Sequence, residues 1–268
     1  MKRLIFSLLY DDGDFVFSRN FKRQKVGDIN WIFENYDLEN VALGLDELII
    51  IDVSKKKNKI EFTNIVKKIS KKIFIPITVG GGIYNEKDVD NYLKSGADKI
   101  LLNNLFYKDK NFFQKISKTF GKQFIVGCID YKKINNKYII FKNDGNEECK
   151  NINLIQQIRN LHTAGVGEIV LQSIDLDGTG MGMDLDIIEV LKKINISSPI
   201  ILKGGIGKPE HIVTVMSKKV VEAVCTANLF NFIGDSFIYT RELLIQNKIN
   251  VANWGVSEMK LLKNKYEK

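Results

Sequence analysis

Apolar residues along this chain recur with two different periods. Short aliphatic runs at Arg3–Leu9, Glu47–Val53, Phe74–Val79, Lys99–Asn103, Gln123–Ile129, Glu168–Ser173, Pro199–Lys203 and Val221–Thr226 read as buried strands. Between them, Phe62–Lys72, Glu86–Ser95, Leu154–Ala164, Leu185–Lys193 and Pro209–Ser217 place apolar residues at helical spacing, with charged residues opposite. Strict alternation of strand and helix predicts an α/β fold with a parallel sheet, and eight strands are the number that closes into a (β/α)8 TIM barrel. An open doubly wound sheet is the alternative, but it carries a GxGxxG turn after its first strand, absent here.

The second half of the sequence echoes the first at an offset of about 121–124 residues. Pro76-Ile77-Thr78-Val79-Gly80-Gly81-Gly82-Ile83 returns as Pro199-Ile200-Ile201-Leu202-Lys203-Gly204-Gly205-Ile206. Asn104-Leu105-Phe106 returns as Asn228-Leu229-Phe230, and Glu47-Leu48-Ile49-Ile50 as Glu168-Ile169-Val170-Leu171. Matches in one order at one offset predict two similar half-barrels, about 1–121 and 122–253, within a single barrel of residues 1–253. The lysine-rich stretch 254–268 is left as a tail.

Composition narrows the functional classes. The formal charge of +8 raises the question of nucleic acid, yet the lysines fall within helical stretches such as Lys67-Lys68-Ile69-Ser70-Lys71-Lys72. They read as a solvated surface that favours small phosphorylated ligands, with no nucleic-acid partner. Met1 to Tyr10 meets Asp11 and Asp12 too soon for a leader, and no run is long enough for a membrane span. Cys128, Cys149 and Cys225 are too widely spaced for a zinc site and suit a reducing, cytoplasmic setting. No metal and no cofactor are expected.

In a barrel, chemistry sits where strands end. Gly81-Gly82 and Gly204-Gly205 fall there, after the third and seventh strands. Such glycines either make tight turns or let backbone N–H groups close around a phosphate. Two symmetry-related clusters, with Asn103, Asn104 and Asn228 near the next strand ends, favour phosphate at both and a ligand phosphorylated at each end. Asp130 ends the fifth strand as a candidate general acid or base, or as an ion-pair partner of Lys132 or Lys133. Asp175-Leu176-Asp177-Gly178-Thr179 follows the sixth strand, either holding ligand or forming an Asx turn; Asp52 is similarly placed at the end of the second. His162 and His211 lie on helices, away from these ends.

Taken together, Leu45 to Leu48, Pro76 to Ile83, Gly96 to Lys99, Ser173 to Thr179 and Gly204-Gly205 resemble the cyclase subunit of imidazole glycerol phosphate synthase, along nearly the whole chain. The resemblance implies a bis-phosphorylated ligand held by Gly81, Gly82, Asn103, Asn104, Asp177, Gly178, Thr179, Gly204, Gly205 and Asn228. It also implies ammonia entering from a glutaminase subunit, past a gate of Arg3, Glu47, Lys99 and Glu168, with Asp98 facing that partner. Of the family's two catalytic aspartates, one matches Asp130; the other falls on Leu9, which cannot carry a proton, with Asp11 and Asp12 as nearby substitutes. A family lysine falls on Phe17, with Arg19 nearby. The pattern implies a paralogue that delivers ammonia for amidation of a bacterial surface sugar, working with an amidotransferase or sugar-modifying enzyme. The histidine-pathway cyclase itself, or a scaffold that only activates a glutaminase, are the alternatives.

Overall fold

The computed structural model describes residues 1–107, 109–227 and 236–252; Asn228 and the lysine-rich stretch after Trp254 lie outside the described residues. In chain order the first half contains β1 (Arg3–Asp11), β2 (Asp14–Arg19), β3 (Lys22–Gly27), α1 (Ile29–Asn35), α2 (Leu38–Leu43), β4 (Glu47–Asp52) and α3 (Lys59–Ser70). It continues with β5 (Ile77–Gly80), α4 (Glu86–Lys94), β6 (Lys99–Leu102) and α5 (Lys110–Phe120). The second half contains β7 (Ile125–Ile134), β8 (Lys137–Lys142), β9 (Glu147–Glu148), α6 (Leu154–Ala164), β10 (Glu168–Ser173) and α7 (Asp186–Leu191). It ends with β11 (Ile200–Lys203), α8 (Pro209–Met216), β12 (Ala223–Thr226) and α9 (Ser236–Gln246).

Strands β1, β4, β5, β6, β7, β10, β11 and β12 pair in that order, all parallel, and β12 returns to β1, closing the barrel. The cause is visible in β1. Leu4, Phe6, Leu8 and Tyr10 pack outward against the helices, while Ile5 points inward to meet Ile49, Leu101, Val126, Val170 and Ile201. Helices begin where the sequence supplies caps: Asn58, Asn85, Asp109 and Asn153 accept first-turn N–H groups of α3, α4, α5 and α6. No helix among the described residues is long and apolar enough to cross a membrane.

The half-barrel repeat extends to the hydrogen-bond ladders. Ile5 pairs with Glu47 and Val126 with Glu168; Leu9 pairs with Ile51 and Asp130 with Gln172. Leu9 and Asp130 are therefore equivalent positions in space as well as in sequence. Two strand pairs were not anticipated from the sequence. The antiparallel pairs β2–β3 and β8–β9 rise from the ends of β1 and β7. Lys22-Arg23-Gln24-Lys25 has no apolar alternation because that strand covers the barrel mouth and buries little.

The glycine pairs are structural necessities at two points. A Cβ on Gly81, at φ 89°, would lie 2.1 Å from the Asp52 carbonyl oxygen, and one on Gly205, at φ 93°, 2.0 Å from that of Gly182. Gly205→Ala is expected to destabilise the protein by about 1–3 kcal/mol, read as a lower urea midpoint with an unchanged slope.

Candidate functional site

At the lower end of the barrel four side chains meet in a closed ring. Arg3 Nη1 lies 2.9 Å from both Glu47 Oε2 and Glu168 Oε1. Lys99 Nζ completes the ring, 2.9 Å from Glu47 Oε2 and 3.2 Å from Glu168 Oε1. Thr78 Oγ1 donates to the second Glu47 oxygen, and Glu168 Oε2 is buried with no hydrogen-bond partner among the described residues. The residues open β1, β4, β6 and β10, whose inward-facing register brings them to one level. Alternating signs around the ring compensate much of the desolvation such a cluster incurs. Asp98, exposed on the same end, accepts from the backbone N–H of Ile77 at 2.8 Å.

Above the ring the axis is filled by the inward apolar layer around Ile5, Ile49, Leu101, Val126, Val170 and Ile201. Above that layer opens a cavity of about 410 Å³ at the strand C-termini. Its floor is formed by Leu9, Ile51, Leu101, Cys128, Asp130, Gln172 and Lys203, and its side by Gly81, Gly82, Asn103, Asn104, Lys55 and Lys57.

Asp130 is almost fully buried; Asn103 Nδ2 donates to its Oδ2 at 2.7 Å, and the Cys128 thiol lies 3.6 Å from Oδ1. Burial pushes the Asp130 carboxyl up to about 6, opposed by the Asn103 hydrogen bond and by Lys203. It pairs with neither Lys132 nor Lys133; the latter binds Asp186. Burial also raises the Cys128 thiol and pushes Cys225 up to about 12, so both stay protonated at neutral pH. Lys203 is buried and donates to Ser7 Oγ at 3.1 Å.

The mouth is roofed by the β2–β3 pair. Asn20 reaches across the barrel, its backbone N–H donating to the Asp177 carbonyl at 2.9 Å and its Nδ2 to the carbonyls of Ile174 and Asp175. Ser18 and the backbone N–H of Phe21 both donate to Asp177 Oδ2. Arg23 pairs with Asp11 at 3.1 Å and with Asp144, beyond β8, at 2.7 Å.

Several expected site residues therefore have other duties. Asp177 anchors the roof, its carboxyl raised by burial, instead of facing the cavity. Thr179 Oγ1 donates to the Leu176 carbonyl, and Asp175 accepts from the Lys133 N–H of β7, a cross-strand contact and not the local Asx turn offered as its alternative. Asn103 orients Asp130, and Asn104 Oδ1 accepts from the Asn143 N–H. Gly178, Thr179, Gly204 and Gly205 do not line the main cavity, which among the described residues reaches only the Gly81-Gly82 cluster. Asp52 is buried, and Lys57 sits 3.2 Å from it.

The substitutes for the missing acid fare differently. Leu9 lies on the cavity floor, where an aspartate would face Asp130; Asp11 is tied to Arg23, and Asp12 is exposed at the turn into β2. Phe17 packs on the outer core and Arg19 is exposed, so Arg23 is the cation that β3 brings to the cavity. His162 bonds Ser198 on the outer layer, and His211 accepts from the Gly207 N–H. Sequence reasoning missed Lys203, Gln172, Ser7 and Arg23. For the first three the signal was present in principle: polar residues at inward positions near strand ends.

Comparison with known proteins places these features in a family. A histidine biosynthesis protein model matches residues 3–234. A Parasynechococcus marenigrum protein, provisionally named imidazole glycerol phosphate synthase subunit hisF2, is 39% identical over 255 residues, covering 94% of each chain. Imidazole glycerol phosphate synthase subunit HisF of Bacillus cereus (strain G9842) is 33% identical over 94% of this chain and 97% of its own. The same subunit of Clostridium botulinum (strain Okra) is 38% identical over 86% of this chain and 90% of its own.

Proposed function

The chain belongs to the histidine biosynthesis protein family as a HisF-like member, and on that premise we propose that it takes ammonia from a glutaminase subunit at its lower face and delivers it to an acceptor in the upper cavity. The observation that carries this reading is the ion ring of Arg3, Glu47, Lys99 and Glu168, coaxial with the apolar layer and the cavity floor. A ring of two cations and two anions can open by exchanging partners, and Glu168 Oε2 offers an acceptor to an entering N–H. The apolar layer then favours neutral ammonia over ammonium, whose charge would be costly to desolvate.

The acceptor in this reading is not the histidine-pathway nucleotide. With Leu9 opposite Asp130, the floor lacks the second of two carboxyls at that level, and a cyclisation needing two proton transfers is left with one aspartate. Amidation of a bacterial surface sugar, in this cavity or in a docked amidotransferase, requires ammonia delivery and fits what remains. Supplied with ammonium salts and the histidine pathway's bis-phosphorylated substrate, the protein is expected to turn over at less than a tenth of the rate of the Bacillus cereus HisF subunit. An equal rate would show that this is an ordinary cyclase.

One observation favours the second reading, the histidine-pathway reaction itself: Asp130 keeps a carboxyl raised to about 6, suited to proton transfer near neutral pH. Leu9→Asp tests this second reading: if the histidine-pathway reaction is the protein's own, restoring the acid beside Asp130 should raise ammonium-dependent cyclase turnover at least tenfold. No gain would mean that position 9 is not what holds the reaction back.

A further inference from the structure

Lys203 has no counterpart in the other half of the barrel. Gln172 pairs with Lys203 as Ile51 pairs with Gly80, so the half-barrel repeat puts glycine where this lysine stands. The same comparison puts Leu9 where Asp130 stands. The carboxyl and the ammonium of the floor thus both come from the second half and face an apolar first half. Lys203 is 4% exposed, lines the cavity, and has no carboxylate within ion-pair distance among the described residues; its hydrogen bond is to the neutral Ser7 hydroxyl. Asp130 and Asp177 act on it only from beyond ion-pair distance, and a buried ammonium so incompletely compensated is costly unless something in the cavity supplies an anion.

The geometry points to an unassigned subsite at the inner end of the cavity, where Lys203, oriented from behind by Ser7, binds the carboxylate of a ligand. A monoanion matches one lysine, whereas a phosphate dianion would crowd Asp130, whose charge lies close enough to Lys203 to be influenced by it. On the Asp130 side, Asn103 Oδ1 is buried and unpartnered among the described residues, an open acceptor for a hydroxyl or amine beside that carboxylate. Because the same cavity runs to Gly81, Gly82 and Lys55, the ligand class is a phosphorylated hydroxy or amino acid, carboxylate inward and phosphate outward. This goes beyond ammonia delivery and does not depend on it.

The probes are 3-phosphoglycerate and glycerol 3-phosphate, which differ in the presence of the carboxylate, titrated calorimetrically against the full-length protein. The expected result is at least tenfold tighter binding of 3-phosphoglycerate. Lys203→Met should bring the two probes within twofold by weakening 3-phosphoglycerate alone, and Lys203→Arg should keep part of the preference. Equal affinities for the wild type, no binding of either probe, or a preference that survives Lys203→Met would each overturn the assignment. Should Lys203→Met fail to fold, Lys203→Gln provides the same comparison. Loss of ammonia-dependent activity with the carboxylate preference intact would count against the proposed function and leave the subsite standing.

Discussion

Glu47→Gln is expected to lower the unfolding free energy by about 3 kcal/mol while keeping the barrel closed. Glu47 is 2% exposed and is the ring member that binds Arg3, Lys99 and Thr78 together. The amide preserves size and most hydrogen bonds but removes one of two negative charges. Arg3 and Lys99 are then left to share Glu168, and their mutual repulsion is no longer offset. The loss is modest for a buried ion pair because Arg3 and Lys99 retain 21% and 17% of their side-chain exposure. Chemical denaturation at two salt concentrations checks it, the defect shrinking at high salt as the two cations are screened. A change below about 0.5 kcal/mol, the range of ordinary surface substitutions, would mean that the ring contributes no net stability. If the ring also meters ammonia, the variant should lose glutamine-driven turnover more than turnover with added ammonium salts.

The second large effect concerns Asp130, where stability and activity are expected to move in opposite directions. Its carboxyl titrates at about 6 in the folded protein against 3.8 for the unperturbed group, because burial disfavours the charge. Between those two values the folded state holds a proton that the unfolded chain has released. Stability therefore falls as pH rises through this window, by as much as about 3 kcal/mol above pH 6. Asp130→Asn should remove that penalty, gaining about 1–3 kcal/mol at pH 7.5 and nothing at pH 4. Residual ammonium-dependent turnover should fall by about 10²–10⁴. In the wild type that turnover should rise with pH through about 6 if the carboxylate acts as base. Parallel pH–stability curves for the two proteins would refute the account.

Most of the barrel was legible because its strands are buried on both faces and its helices on one, and both patterns are written in residue type. Leu154–Ala164 and Glu168–Ser173 match their predicted bounds. The third strand begins at Ile77 and not at Phe74, because Phe74 is 65% exposed below the sheet. The β2–β3 and β8–β9 pairs were not anticipated: Phe15-Val16-Phe17 and Tyr138-Ile139-Ile140-Phe141 carry a strand signal outside the eight-strand reading, whereas their partners Lys22–Gly27 and Glu147–Glu148 bury little and carry none. The site was legible in part. The resemblance put Leu9 and Asp130 at the family's two aspartate positions, the repeat offset of about 121 residues relates the two, and the ladder registers agree. The role of Asp177 was not legible, because the DxDG spacing serves an anchor as readily as a ligand contact, and only the position of Ser18 and Phe21 decides. Lys203 stood in plain view within the repeat, but without the barrel nothing distinguished it from the chain's many surface lysines.

The roof formed by β2 and β3 also sets a timescale. Asn20 and Arg23, from the first half, are fastened to Asp177 and Asp144 in the second, so these contacts narrow the mouth through which a molecule reaches the cavity floor. Ligand capture should then be far slower than free diffusion allows, and a captured molecule should have a long residence. Arg23 and Asp144 are 20% and 55% exposed, and ionic strength should quicken exchange in both directions. The affinity for an anionic ligand should fall at the same time, because its attraction to Lys203 and Lys55 is screened.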